Sequence, residues 1–291
     1  MSDKKLINDD FKEKDVEIDA WPSGHFYSPI PDFSYVLNNL NNLRYNRKEI
    51  PGIDLNIDNQ LSLLKDLIVY SDEYLWPKKK SIDFRYYQDN TFFGQGTGFF
   101  LYSLMRRFNP KKIIEVGSGF SSALMLDIRD KYISDLELLF IEPYPESRLL
   151  KLLTLENDQG HKSLIKDFVQ NISLDVFETL GENDILFIDS SHVVKTGSDV
   201  VYLFTEIIPL LKSGVIIHIH DIYWPFEYPV SWLKKKWAWN EAHLLKALLQ
   251  NNSKIEVLLF LDFLKKNHLE SLSNFPFSIE FLGSSIYLRV K

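Results

Sequence analysis

The feature that most constrains the fold of this chain is a repeated alternation of short apolar segments and helical segments between residues 111 and 219. Segments with helical spacing cover residues 121–131, 174–180 and 199–211. Strands are predicted at 113–116, 136–141, 163–165, 184–188 and 215–219. Strands that are apolar along their whole length are typical of a parallel sheet with helices on both faces. The pattern therefore predicts an α/β, Rossmann-like, doubly wound sheet.

Outside this region the pattern is less regular. Two more strands are predicted at 255–261 and 285–290, joined by a mostly irregular connection that is either a crossover or a wide antiparallel return. Upstream, helices are predicted at 58–70 and 98–108. We expect three parts, which are a disordered tail over 1–20, an N-terminal cap and strap over 21–89, and a core domain over 90–291.

Composition limits the partners that the chain can have. The formal net charge is −7 and there is no sustained basic stripe, so nucleic acid is not expected as a partner. There is no cysteine, which excludes disulfides and thiolate metal sites. We see no signal peptide and no segment suited to span a bilayer, so a cytoplasmic location is expected. A second copy of the chain, packed on the strap, is a candidate partner.

A glycine loop follows the first strand of the alternating region. Gly117 and Gly119 permit a tight turn and close approach of a ligand to the backbone, and the next helix offers free N–H groups at its start. Ligands of open parallel sheets bind beyond the carboxyl ends of the strands, where this loop lies. Glu115 places a carboxylate at the strand end, which would repel a diphosphate and favour a cationic, hydroxyl-rich ligand.

Histidine and aspartate side chains follow the fourth and fifth predicted strands. Such groups are costly in a dry interior unless they are paired, so their presence at two neighbouring strand ends predicts a functional site. Either His192 or His220 could act as a general base, because an imidazole has a pKa near neutrality. His218, two residues deeper in its strand, is predicted to be a hydrogen-bonded structural histidine. The candidate catalytic residues are Asp189, His192, His220 and Asp221.

The run 113–120 resembles the first signature of class I S-adenosylmethionine-dependent methyltransferases, and the resemblance covers about residues 90–290. The Asp-x-x-His and His-Asp strand ends are similar to those of a bacterial branch related to small-molecule O-methyltransferases. The resemblance implies a seven-stranded sheet with an antiparallel last strand and S-adenosylmethionine as the cofactor. It also implies methyl transfer to a small-molecule, sugar or natural-product-like acceptor, with a hydroxyl oxygen as the expected nucleophile.

The resemblance further implies which residues bind the cofactor. The glycine loop would wrap the methionine part, and Glu142 at the end of the second strand would accept hydrogen bonds from the ribose hydroxyls. Asp167 would lie near the adenine amine, and Gln95 belongs to a segment that often closes over the cofactor. The expected contacts are Gln95, Glu115, Gly117, Ser118, Gly119, Phe120, Ser121, Glu142, Pro143, Asp167, Phe168 and Asp189.

Some members of the wider group bind a divalent ion at the fourth and fifth strand ends. This makes Asp189, His220 and Asp221 candidate ligands for an ion such as Mg²⁺. The chain departs from the catechol-type enzymes, which carry Asp-Asn at the position of His220-Asp221, so direct base catalysis by a histidine stays open as the alternative.

Two other functions also stay open. An NAD-dependent oxidoreductase is disfavoured because Ser122 would be the third small residue of its fingerprint and Glu115 would add negative charge beside the pyrophosphate. The second is a non-catalytic, methyltransferase-like scaffold subunit.

Overall fold

A computed structural model describes residues 21–43, 45–145 and 162–291 of the chain. The tail predicted over residues 1–20 lies outside the described residues. The chain divides into two compact units, of which the first comprises Met1–Tyr45 with Pro229–Ala238 and the second Asn46–Tyr228 with Trp239–Lys291. In the described ranges, no helix combines the length and the apolar character needed to cross a membrane.

The first unit contains two short helices in contact with each other, α1 (Phe33–Asn38) and Val230–Lys234. Helix α1 begins after Asp32, whose side chain accepts a hydrogen bond from the Tyr35 N–H and so caps the helix. Upstream of it, the rings of Trp21 and His25 stack with their centroids 4.5 Å apart.

The second unit is built on a seven-stranded sheet whose strand order is β3-β2-β1-β4-β5-β7-β6. All neighbouring strands are parallel except β7, which runs antiparallel to both β5 and β6. This arrangement confirms the doubly wound sheet and the antiparallel last strand. The strands are β1 (Lys112–Val116), β2 (Glu137–Ile141), β3 (Lys162–Ile165), β4 (Ile185–Ile188), β5 (Ile216–Ile219), β6 (Ile255–Phe260) and β7 (Ile286–Val290).

Helices connect the strands and cover the sheet. In chain order after α1, the helices of the described residues are α2 (Ile57–Leu67), α3 (Gln95–Phe108), α4 (Phe120–Tyr132), α5 (Leu174–Phe177), α6 (Asp199–Tyr202), α7 (Val230–Lys234), α8 (Glu241–Leu249) and α9 (Leu261–Asn267), of which α7 belongs to the first unit. Short 3₁₀ turns occur at Ile68–Glu73, Val169–Asn171, Ile208–Leu210, Leu269–Leu272 and Ile279–Phe281.

One predicted helix, over residues 199–211, changes its winding along its length. After α6 the chain forms π-helical turns at Leu203–Ile207 and then the 3₁₀ turn that contains Pro209. Proline has no N–H and its ring clashes with the carbonyl four residues earlier, which disfavours regular α-helix at this point. The Thr205 hydroxyl also donates to the Val201 carbonyl, a bond that often bends helices.

The prediction that residues 261–285 are mostly irregular was wrong at its start, where α9 directly follows β6. Leu261, Phe263 and Leu264 are all buried. The apolar residues of β6 are therefore followed directly by apolar residues of the helix, and the sequence shows no boundary between the two elements. Asp262 accepts a hydrogen bond from the Trp224 N–H and pairs with Lys266 one turn later. These contacts stabilise a helix that hydrophobic spacing alone does not reveal.

Asp127 on α4 anchors the segment that leads to the glycine loop. Its buried carboxylate accepts hydrogen bonds from the indole N–H of Trp76, from the backbone N–H groups of Arg85 and Tyr86, and from the Arg85 guanidinium. The Tyr86 hydroxyl in turn donates to the Phe93 carbonyl at 2.9 Å. Asp127 therefore fixes the position of the segment 85–93 relative to the sheet.

Replacing Asp127 by asparagine is expected to lower the free energy of unfolding by about 2–4 kcal/mol, because the amide turns an NH₂ toward a set of donors and leaves buried groups unpaired. The matched control is Asp130→Asn, on the same helix, whose 41% exposed side chain also pairs with Arg85. The control is expected to cost less than about 1 kcal/mol. Urea denaturation followed by circular dichroism measures both, and equal effects would contradict the anchoring role.

Candidate functional site

The candidate site lies at the rim where strands β1, β4 and β5 end. The Asp189 N–H donates to the Val116 carbonyl at 2.9 Å, and the His220 N–H donates to the Ile188 carbonyl at 3.0 Å. These bonds continue the parallel ladders one residue past the strands, so the strand-end residues lie side by side. The sequence prediction that these ends meet is confirmed.

Gly117 makes the closest approach within this rim. Its φ is +83°, and a Cβ atom at this position would lie 1.8 Å from the Asp189 carbonyl oxygen. Any other residue would clash with the end of β4 and would adopt the left-handed backbone region at a cost. The glycine loop therefore reaches the β4 end only because residue 117 has no side chain.

The carboxylate of Glu115 lies beneath the glycine loop. It is completely buried and accepts hydrogen bonds from the hydroxyls of Ser121 and Ser122 at the start of α4. Ser122 also accepts a bond from the Gly119 N–H. Sequence analysis expected direct contact between Glu115 and a ligand. In the structure this carboxylate instead stabilises the loop from within, through its hydrogen bonds to the start of α4.

Burial raises the pKa of Glu115 to about 7, although the two serine hydroxyls oppose the shift. The fold thus favours the protonated acid, and this contribution to stability is complete below about pH 4.5 and is lost as the pH rises toward 7. A Glu115→Gln variant lacks this titration. Its free energy of unfolding should gain about 2–3 kcal/mol relative to wild type between pH 5 and pH 8.

Chemical denaturation at both pH values measures this difference. Glu137→Gln, an exposed position on the neighbouring strand, serves as the control and should show no such change. A constant difference between the Glu115→Gln variant and wild type would show that Glu115 is ionised throughout.

Two adjoining cavities open beside the glycine loop, with volumes of about 560 and 290 Å³. Both are lined by Gly117, Glu142, Tyr144 and Asp189, so they meet at the β1, β2 and β4 ends. The larger cavity extends over Phe168 and the smaller extends along the glycine loop. Together they lie in the size range of small-molecule and cofactor sites.

Glu142 is held at the junction of the two cavities. One carboxylate oxygen accepts the Tyr144 N–H at 2.8 Å, and the other accepts the Ser118 N–H of the glycine loop at 3.3 Å. Carboxylate oxygens have further lone pairs for a ligand donor. The position agrees with the expected role of Glu142, and Pro143 follows it in the wall of the larger cavity.

Two buried polar atoms in the wall of the larger cavity lack a hydrogen-bond partner among the described residues. These are the Gln170 side-chain oxygen and the Ser190 hydroxyl. The Gln170 amide is fixed in place because its nitrogen donates to the Gly197 carbonyl at 2.8 Å. Buried polar groups are nearly always satisfied, so each of these two atoms is available to a polar ligand or to a water molecule.

The residues around the larger cavity differ in part from those expected. Asp167 turns away, because its carboxylate accepts from the Phe168 N–H and from the Asn171 side chain and lines neither cavity. Phe168 does line the cavity, with its ring 5.6 Å from that of Tyr144. Sequence analysis missed Tyr144 and Gln170, which belong to no motif: Tyr144 lies shortly after β2, and Gln170 lies in the 3₁₀ turn Val169–Asn171.

The residues around the smaller cavity also differ in part from those expected from the sequence. Gln95 is the first residue of α3 and lines neither cavity. Phe92 and Phe93 line the smaller cavity instead, and the ring of Phe92 stacks near that of Phe120 at 6.2 Å. The segment before the glycine loop therefore contributes aromatic rings to this site.

The predicted catalytic residues form one cluster. The Asp189 carboxylate lies 3.4 Å from the Nε2 of His192 and 3.4 Å from the Nδ1 of His220. The Nδ1 of His220 is also 3.7 Å from the carboxylate of Asp221, which accepts a bond from the Ser284 hydroxyl. Possible ligand atoms of Asp189, His220 and Asp221 all lie within 4.8 Å of one another.

The imidazoles and carboxylates of this cluster shift one another's pKa values. Burial lowers the pKa of His220, but Asp221 and Asp189 outweigh it and raise the pKa to about 9. Burial likewise opposes protonation of His192, yet its contacts with Asp189 and Glu241 raise its pKa well above the usual value. Burial raises the pKa of Asp189, but the neighbouring imidazoles reverse this and lower it.

His218 differs from the other two histidines. It is completely buried, its Nε2 lies 2.8 Å from the Ser285 hydroxyl, and its ring packs 4.1 Å from that of Tyr287. Burial lowers its pKa well below the usual value. The geometry is that of a neutral structural histidine.

The aromatic loop after β5 also belongs to the core. Trp224, Phe226 and Tyr228 are at most 3% exposed, and the Trp224 ring packs against Phe263. They line neither of the two cavities.

Comparison with known proteins bears on the same region. A family described as a methyltransferase domain matches residues 114–222, which span the glycine loop and the ends of β4 and β5. An uncharacterized protein from Archaeoglobus fulgidus is 35% identical over 171 residues, which is 57% of this chain and 76% of the archaeal protein.

Solved structures with a similar arrangement include two methyltransferases. The Podospora anserina methyltransferase PaMTH1, bound to S-adenosylhomocysteine (SAH), aligns with a TM-score of 0.45 and 17% identity over 84% of this chain and 98% of that one. The O-methyltransferase TomG from Streptomyces achromogenes, in complex with S-adenosylmethionine (SAM), aligns with a TM-score of 0.42 and 13% identity over 88% of this chain and 96% of that one.

Proposed function

Since the chain belongs to the class I SAM-dependent methyltransferases, we propose that it transfers a methyl group from SAM to a hydroxyl oxygen of a small-molecule acceptor. The observation that carries this proposal is the position of Asp189. It lines both cavities beside the glycine loop and also contacts the two catalytic imidazoles. A cofactor in the cavities would thus lie next to groups suited to take up a proton.

The residues around the cavities fit this cofactor. Glu142 would accept the ribose hydroxyls, and Phe168 and Tyr144 would flank the adenine ring. The free Gln170 oxygen would accept the adenine amine, a donor that an unpaired buried acceptor requires. The loop Gly117–Phe120 would hold the methionine part. When bound, the cofactor supplies an electrophilic methyl group on a cationic sulfonium.

The chain's own residues would align the acceptor and remove its proton. Alignment of two reactants and proton removal by a positioned base are the main contributions expected of such a site. The Nε2 atom of His192 lies at the rim beside Asp189, and we propose that this nitrogen receives the acceptor's proton when the imidazole is neutral, a form that the raised pKa of His192 disfavours near neutral pH. His220 and Asp221 complete the polar wall of the same rim.

Asp189, His220 and Asp221 also offer two oxygen donors and one nitrogen donor in one place. Such a set fits a divalent ion, since Mg²⁺ prefers the carboxylates and a softer ion tolerates the imidazole. A bound ion would lower the pKa of an acceptor hydroxyl. We propose these three residues as its ligands.

Calorimetric titration with SAH tests the cofactor site. Glu142→Ala should weaken binding by about 10- to 100-fold, because the ribose hydroxyls lose a charged acceptor. Glu137→Ala is the matched control, since Glu137 begins the same strand that Glu142 follows and its side chain is 58% exposed. The control should bind as wild type does.

NAD serves as the competing ligand in the same titration and should not bind. Absence of SAH binding in wild type would contradict the proposed cofactor and favour a scaffold role. Binding that is equal in the two variants would remove Glu142 from the site.

Binding of Mn²⁺, followed by electron paramagnetic resonance, tests the metal ligands without requiring an acceptor. Asp221→Asn should weaken Mn²⁺ binding at least about tenfold through loss of a charged oxygen ligand. Asp167→Asn is the control, because the Asp167 carboxylate is engaged in its own turn. If wild type binds no Mn²⁺ at this site, direct proton transfer to a histidine becomes the mechanism.

A further inference from the structure

Glu241, the first residue of α8, is a fully buried carboxylate that faces the catalytic rim from behind. One of its oxygens lies 2.8 Å from the Nδ1 of His192. Its other oxygen has no hydrogen-bond partner among the described residues. An acidic residue in the first turn of a helix is favourable when exposed, but complete burial carries a desolvation cost that a neutral side chain would avoid. The helix alone therefore gives no reason for a buried carboxylate here.

The loop that carries His192 is held to α8 without this carboxylate. The His192 carbonyl accepts hydrogen bonds from the N–H groups of Asn240 and Glu241, at 3.0 and 3.2 Å. The Asn240 side chain accepts the Val194 N–H at 2.6 Å. These bonds stabilise the unusual backbone of His192, whose φ is +59°. Among the described residues, the Glu241 carboxylate therefore has one hydrogen-bond partner, the imidazole of His192.

That contact determines which nitrogen of the ring faces the rim. With Nδ1 directed at Glu241, the Nε2 atom points to Asp189, and the ring of Trp239 packs against the imidazole with centroids 4.5 Å apart. An ionised carboxylate only accepts hydrogen bonds, so Nδ1 donates to Glu241 whenever Glu241 is charged, and the contact of 2.8 Å makes Nδ1 the nitrogen that keeps its proton when Nε2 loses its own. With the ring turned over, carbon atoms would take the places of the two nitrogens, and Glu241 would face a C–H group in place of Nδ1.

We propose that Glu241 is a positioning residue, which holds the imidazole of His192 so that Nε2 is the nitrogen presented to the acceptor hydroxyl. The inference rests on the proposed function, in which His192 receives the proton of the acceptor. Glu241 touches neither cavity and acts only through the ring of His192. A carboxylate bonded to one ring nitrogen of a histidine fixes the tautomer and orients the other nitrogen.

Proton NMR of the full chain labelled with ¹⁵N-histidine tests the proposal at one pH. Wild type should show a strongly deshielded imidazole N–H that is absent from a His192→Gln variant. Glu241→Gln, which keeps the shape but removes the charge, should lose this signal or shift it upfield. Glu227→Gln is the matched control, since Glu227 forms a similar contact of 2.9 Å with His243 near the surface, and it should leave the His192 signal unchanged.

A second readout separates positioning from a merely structural contact. Saturating SAH should shift the Nε2 resonance of His192 in wild type, and this response should be lost in Glu241→Gln although SAH still binds by calorimetry. A deshielded signal that persists in Glu241→Gln, or an Nε2 response equal to wild type, would overturn the proposal. Failure of wild type to bind SAH would instead overturn the proposed function, and the N–H signal would still report on Glu241.

Discussion

The approach of the glycine loop to the end of β4 is the constraint on which the rest of the site depends. Gly117 packs directly on the Asp189 carbonyl, at a distance that excludes any side chain. This contact brings the glycine loop, which lines both cavities, against Asp189, whose carboxylate contacts the imidazoles of His192 and His220. Asp127 supports it from outside, because it holds the segment that ends in Phe92 and Phe93 over the loop. Ligand binding and proton removal are thus served by one short stretch of backbone.

The carboxyl groups around this contact lie in two places, one beneath the glycine loop and one at the rim. Glu115 lies under the loop and is bound by serine hydroxyls, and burial raises its pKa to about 7. Asp189 and Asp221 lie at the rim and face imidazoles, and Glu241 lies behind one of these. Counted together with Glu142 at the junction of the cavities, three carboxylates lie near two imidazoles, and this balance suits a cationic ligand. The charges therefore complement a sulfonium better than a diphosphate.

Much of this could be predicted from the sequence, and the limits have physical causes. The strands, the glycine loop and the strand-end cluster follow from local spacing and from the rule that ligands bind at the carboxyl ends of parallel strands. Helix α9 was missed because its apolar residues continue those of β6. Asp167 was misjudged and Gln170 was missed, because hydrogen bonds within a turn decide which side chain faces the cavity. Glu241 has a partner 49 residues away, and no spacing rule reveals such a contact.

The most direct test of the central claim is a crystal structure of the protein with SAH. The account predicts the adenine between Tyr144 and Phe168 with its amine at the Gln170 oxygen, the ribose on Glu142, and the sulfur on the Asp189 side of the glycine loop. A ligand bound elsewhere, or an adenine that leaves the Gln170 oxygen unpaired and the ribose away from Glu142, would contradict it.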